Sequence, residues 1–212
     1  MTYALNQMDN KILKKYLCFS GGVFVEAGAN DGIRQSNTLL FEREHQWRGL
    51  LVEPNPTLFE SCKKNRPNSI VEQCALVSFD YKLDIINWST GPGLDGNNDT
   101  LCAQTIHDDG NLPEKAIPHL KHRAKEKIQV PANTITNLLK KHNISNIDFF
   151  SLDVEGYEFS VLNGLDFSYV RPKYILLEVT ENFDRMKSYM EERNYTYLEK
   201  FGNHDYLFKD ET

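Results

Sequence analysis

Apolar residues along this chain fall into two recurring patterns. Short apolar runs close on or near glycine, proline or an acid: VFVEAG at 23–28, RGLLVEP at 48–54, IDFFSLDV at 147–154 and YILLEVT at 174–180, and SIVEQCAL at 69–76 adds a further strand. Runs this short that do not alternate with polar residues read as strands buried on both faces. Between them, residues 8–17, 36–46, 57–64, 134–142, 157–163 and 183–193 carry helical spacing, with Ser36 expected to cap the second helix and Gly164 closing the fifth. LDIINW (83–88) and IQVPA (128–132) read as extra extended segments, and 195–201 with 205–208 as a closing antiparallel pair. Strands alternating with helices predict an α/β fold: a mainly parallel central sheet with helices on both faces and a C-terminal antiparallel strand pair. Residues 1–20 form the N-terminal helical region. From 89 to 127 the pattern dissolves among glycines and prolines, which predicts a long substrate loop or lid holding one short helix near 113–124.

Composition adds limits. A chain of 212 residues suits one domain over 1–212. Its 24 Lys and Arg against 30 Asp and Glu leave a net charge of −6, which speaks against a protein that coats nucleic acid. The four cysteines, Cys18, Cys62, Cys74 and Cys102, form no C-x-x-C pair and are expected as free thiols. Met1 to Lys15 is charged throughout and lacks an apolar core, so neither a signal peptide nor a membrane span is read there, and a cytoplasmic location is expected.

The chemistry gathers where the strands end. In doubly wound sheets ligands bind outside the carboxyl ends of the strands. The first strand runs into Glu26, Gly28, Asn30, Asp31 and Gly32. The two glycines permit a tight turn and a close ligand. Asn30 stands where a dinucleotide loop would carry its middle glycine, and the flanking Glu26 and Asp31 would repel a diphosphate. A cationic ligand without phosphate fits better, and S-adenosylmethionine carries a sulfonium and an ammonium. Glu53, about 20 residues past Gly32 at the end of the next strand, stands where an acid grips ribose hydroxyls. Asp153 and Glu155 follow the fourth strand and Glu178 ends the fifth. Buried acids at a strand end need a partner or a cleft. Asp153 is the first choice for a general base, Glu155 and Glu178 the next, and His204 a further one. An alternative has Asp153 and Glu155 only capping the following helix. No metal is expected, although Asp153 and Glu178 end adjacent strands. His107, Asp108, Asp109, His119 and His122 fit no metal-ligand spacing.

The stretches FVEAGANDG (24–32), SNTLLFE (36–42), WRGLLVEPNP (47–56), IDFFSLDVEGYEFSVLNGLDF (147–167) and ILLEVTE (175–181) resemble the FkbM family of S-adenosylmethionine-dependent methyltransferases. The resemblance implies the Rossmann-like class I methyltransferase fold and methyl transfer to an oxygen of a sugar, glycan or other small molecule. It implies that Glu26, Gly28, Asn30 and Gly32 hold the methionine end, that Glu53 binds the ribose, that Ala75 and Leu76 border the adenine, and that Asp31, Asn37 and Pro54 also belong to the cofactor site. Asp153, beside both cofactor and acceptor, and Glu155 match the family's D-x-E-G segment. The expected partner is a small-molecule or glycan acceptor, with no nucleic acid and no membrane. Two other readings stand against it: a nicotinamide-dependent oxidoreductase, disfavoured by the acidic loop, and a catalytically silent interaction module on the same fold.

Overall fold

A computed structural model describes residues 1–90 and 126–212. Among these residues ten strands run in chain order: β1 (Val23–Ala27), β2 (Arg48–Val52), β3 (Ile70–Glu72), β4 (Ala75–Leu76), β5 (Ile85–Thr90), β6 (Glu126–Asn133), β7 (Phe149–Leu152), β8 (Tyr174–Glu178), β9 (Tyr195–Phe201) and β10 (Asp205–Asp210). Six α-helices accompany them: α1 (Met8–Lys15), α2 (Leu39–His45), α3 (Pro56–Asn65), α4 (Ile135–Lys141), α5 (Glu158–Leu162) and α6 (Phe183–Glu191). The main sheet has seven strands in the order β3-β2-β1-β7-β8-β10-β9. All of its pairings are parallel except those of β10 with β8 and β9. The order reverses direction between β1 and β7, so a crevice opens at their carboxyl ends.

Strand alternation explains the two layers. Val25, Ala27, Leu50, Val52, Phe150, Leu152, Ile175 and Leu177 point to one face and pack with α4, α5 and α6 through Leu138, Val161 and Met186. Phe24, Leu51, Phe149 and Leu176 point to the other face, against Ile12 of α1, Phe41 of α2 and Cys62 of α3. With helices on both sides the middle of these strands is covered on both faces, which is why their sequences are nearly continuous apolar runs.

Two boundaries depart from the pattern reading. The third strand is split: β3 stays in the main sheet, whereas β4 pairs with β6 in a second sheet of order β4-β6-β5. The extra segments at 83–88 and 128–132 are therefore the antiparallel pair β5 and β6, packed around Trp88, Ile86 and Val130. Helix α2 begins at Leu39, three residues after its expected cap. Ser36 Oγ still accepts from Leu39 N at 3.1 Å, but Ser36 and Thr38 also donate to Glu26, and those tertiary bonds hold 36–38 out of the helix. The predicted helix near 113–124 and the histidines and acids of the long segment lie outside the described residues. Among the described residues Cys18, Cys62 and Cys74 are free thiols, and no helix is long and apolar enough to cross a membrane.

Candidate active site

The loop after β1 is held from several sides. Gly28 has φ +82°, and a Cβ there would lie 1.9 Å from the carbonyl oxygen of Asp153, so the turns after β1 and β7 touch at this glycine. Asn30, also at positive φ, donates its backbone N–H to Glu53 Oε2 at 2.8 Å. Asp31 Oδ1 accepts from the backbone N–H groups of Ile33 and Arg34 and so closes the turn. Glu53 Oε1 accepts from Asn55 N at 2.8 Å. One buried carboxylate thus ties the loops after β1 and β2 together. Burial pushes its pKa up to about 7, with repulsion from Asp153 adding and the two N–H groups opposing. Pro54, buried beside it, ends the strand.

Glu26 is buried and its two oxygens are engaged by the chain itself. Oε1 accepts from Asn37 N at 2.7 Å, and Oε2 accepts from Ser36 Oγ and Thr38 Oγ1. Burial raises its pKa, opposed chiefly by the Arg66 guanidinium. Asn37 Nδ2 donates to Ser151 Oγ at 3.0 Å, while its Oδ1 is buried with no partner among the described residues. A buried acceptor without a donor is uncommon and suits a ligand that brings one.

A group of acids stands across the carboxyl ends of β7 and β8. Asp153, Glu155 and Glu178 each offer a carboxylate oxygen, all within 4.8 Å of one another. Burial raises the pKa of Glu178 far above the usual carboxylate range, reinforced by the charge of Asp153 and a hydrogen bond between the two side chains. Burial also raises Asp153, while that hydrogen bond pulls it back down. The pair therefore shares a proton, because two carboxylates this close cannot both ionise. Burial and the neighbouring acids likewise raise Glu155, which sits at φ +57° just before Gly156 at +95°. A non-glycine residue in that conformation at a strand-to-helix turn is strain of the kind found in functional loops. Glu178 Oε2 is a buried atom with no hydrogen-bond partner among the described residues. So many acids in one crevice suit a cationic ligand.

Two further acids belong to this edge and were not singled out from sequence. Glu158 Oε1 accepts from the N–H groups of Val154 and Gly156, so Glu158 tethers the turn before α5, the part considered for Asp153 and Glu155. Asp205, at the start of β10, feels the charge of Asp153. Burial brings both to about 7. Their signals in sequence were faint: an acid in the first turn of a helix, and an acid at a hairpin. His204 is exposed in the β9–β10 turn, where its carbonyl accepts from Val179 N at 2.7 Å. Ala75 and Leu76 are both buried in β4, Ala75 packing into the cluster under the small sheet and Leu76 into the main core.

This strand order, with its glycine turn and acid-lined crevice at the switch point, defines an α/β domain built for a nucleoside-type cofactor. Residues 26–197 match the Methyltransferase FkbM domain, and the chain belongs to that family of S-adenosylmethionine-dependent methyltransferases. Among solved structures it is similar to a methyltransferase FkbM from Methylobacillus flagellatus KT, with 13% identity and a TM-score of 0.54 over 89% of this chain and 43% of that one. The chain thus spans less than half the length of that protein. It is also similar to a SAM-dependent methyltransferase from Aquifex aeolicus, with 9% identity, a TM-score of 0.47, and coverage of 94% and 87%. A third is TrmK from M. capricolum in complex with S-adenosyl-homocysteine, with 9% identity, a TM-score of 0.44, and coverage of 95% and 65%. No curated protein matches the chain.

Proposed function

We propose that this chain transfers a methyl group from S-adenosylmethionine to an oxygen atom of a sugar, glycan or other small hydroxyl compound. The observation that carries this reading is the hydrogen-bonded pair Asp153 and Glu178 at the mouth of the crevice. A hydroxyl acceptor is a weak nucleophile until a base removes its proton, and this pair supplies one. One proton held between the two leaves the other carboxylate ionised, and Asp153 is assigned as the one that takes the proton of the substrate hydroxyl.

The surrounding residues suit the cofactor. When bound, S-adenosylmethionine supplies a methyl carbon made electrophilic by the sulfonium. Glu53 already takes one N–H on each oxygen, and each oxygen has a second lone pair for a ribose hydroxyl. Asn37 Oδ1 is a buried acceptor suited to an ammonium. Gly28 and Gly32 keep the loop free of side chains. Glu26 works through its bonds to 36–38. Ala75 and Leu76 are assigned to the adenine border, Glu155 to orienting the acceptor, and His204 to the rim. The excess of acids favours a neutral acceptor over an anionic one, hence no nucleic acid and no membrane surface as partner.

Transfer of a labelled methyl group to a panel of sugars, small hydroxyl compounds, amines and RNA tests the reading. Hydroxyl compounds alone should be labelled, and Asp153→Asn should abolish labelling while S-adenosylhomocysteine still binds. Labelling of amines or RNA in place of hydroxyls would overturn the oxygen assignment.

A further inference from the structure

Arg66, the residue that caps the C-terminus of α3, is fully buried. Its guanidinium makes four hydrogen bonds: Nε to Glu42 Oε2 at 2.8 Å, Nη1 to Gly32 O at 3.0 Å and Ser36 Oγ at 3.1 Å, and Nη2 to Thr38 Oγ1 at 3.0 Å. Glu26 Oε2 lies 3.7 Å from Nη1, and the group sits 5.4 Å from the centre of the Phe24 ring. Its neighbour Asn65 donates from Nδ2 to Asp31 O at 2.8 Å. Three of the guanidinium bonds and the Asn65 bond all end on 31–38, the segment that follows the glycine turn. The fit is tight: a Cβ on Gly32 would lie 2.7 Å from Arg66 Cγ.

Burying an arginine between two carboxylates is a poor way to gain stability, since an apolar filling often does as well. What the planar fork supplies is direction: four acceptors at fixed positions around one rigid group. Glu53 holds the front of the loop through Asn30 N, and Arg66 with Asn65 holds its back. We propose that Arg66, seconded by Asn65, is a positioning residue that sets the shape of the 30–38 segment before the cofactor arrives, so that binding does not have to order it. The proposal rests on the reading of this loop as the cofactor site. Ordering a loop on binding costs affinity, so loss of the clamp weakens cofactor binding out of proportion to its effect on the fold.

Lysine at this position keeps the charge between Glu26 and Glu42 but offers three donors from a single point. The experiment compares the wild-type chain with Arg66→Lys and Asn65→Ala. Calorimetric titration gives the S-adenosylhomocysteine affinity, and amide exchange is followed without ligand. In Arg66→Lys the affinity should fall roughly ten-fold or more, and in Asn65→Ala about three-fold or more. Exchange should quicken across 30–38 while β1, β2 and β7 keep their protection. A role confined to stability would instead raise exchange across the strands and leave affinity unchanged in the folded protein. Affinities within about two-fold of wild type in both folded variants would overturn the proposal. If Arg66→Lys does not fold, the half-exposed Asn65→Ala decides on the same criterion. If wild type binds neither S-adenosylmethionine nor S-adenosylhomocysteine, the cofactor reading fails and the proposal falls with it.

Discussion

At the scale of single residues, the crevice trades stability for chemistry. Asp153 repels Glu53, Glu155, Glu158 and Asp205, and its removal relieves all four. Asp153→Asn should therefore melt higher than wild type near pH 8, by roughly 2–4 °C for each kcal/mol of repulsion relieved in a chain of this length. Turnover should fall about 10²-fold or more if Asp153 is the base. Parallel melting and single-turnover measurements check both, and a variant that melts lower would contradict the repulsion argument. Gly28 is the opposite case. Alanine there must adopt a φ that costs roughly 1–2 kcal/mol, and its methyl group meets the Asp153 carbonyl. Gly28→Ala should lose at least that much in denaturant unfolding and should also weaken S-adenosylhomocysteine binding. Glu53 and Asp153 stood out in the sequence because an acid at the end of an apolar strand is a one-dimensional signal. Arg66 did not, because nothing in its flanking sequence marks an arginine whose partners lie 24 to 34 positions away.

The same divide runs through the elements. The buried strands β1, β2, β7 and β8 were legible because full burial leaves continuous apolar runs. Helix α3 was legible through its helical spacing at 57–64, and the Asn55 side chain caps it by accepting from Thr57 N at 2.9 Å and Leu58 N at 3.2 Å. Asn55→Ala should cost about 1 kcal/mol of unfolding free energy, the usual loss for such a cap. Cofactor affinity should hardly change, because the bond to Glu53 uses the backbone N–H of residue 55. Chemical denaturation with calorimetry separates the two effects. The late start of α2 was not legible, since Ser36 carries a capping residue's chemistry and is diverted by Glu26 and Arg66. The split of β3 from β4 was hidden for a similar reason. The run from 69 to 76 reads as one strand interrupted by Glu72 and Gln73, and the presence of β6 decides that its second half joins another sheet.

For the whole molecule, the acids at the carboxyl edge couple folding, pH and ligand. Glu53, Glu158 and Asp205 titrate near 7 in the folded chain, against ordinary carboxylate values near 4 when unfolded. Between those values the folded state binds more protons than the unfolded state, so stability falls as pH rises through that window. The ligand-free protein should therefore melt higher at pH 5 than at pH 8, against the habit of proteins whose carboxylates are paired. A cation entering the crevice favours the ionised acids, and at pH 6 its binding must expel protons that at pH 8 have already left. S-adenosylmethionine should accordingly bind more tightly at pH 8, and calorimetry in buffers of different ionisation enthalpy should register proton release at pH 6. At one hundred times its Kd a ligand adds about 2.7 kcal/mol, or roughly 5–10 °C in Tm at this chain length. At a fixed ligand concentration the shift should grow from pH 6 to pH 8 while the ligand-free Tm declines. A shift that shrinks with rising pH would mean that the bound cofactor does not meet these acids, and the assignment of the crevice would have to move.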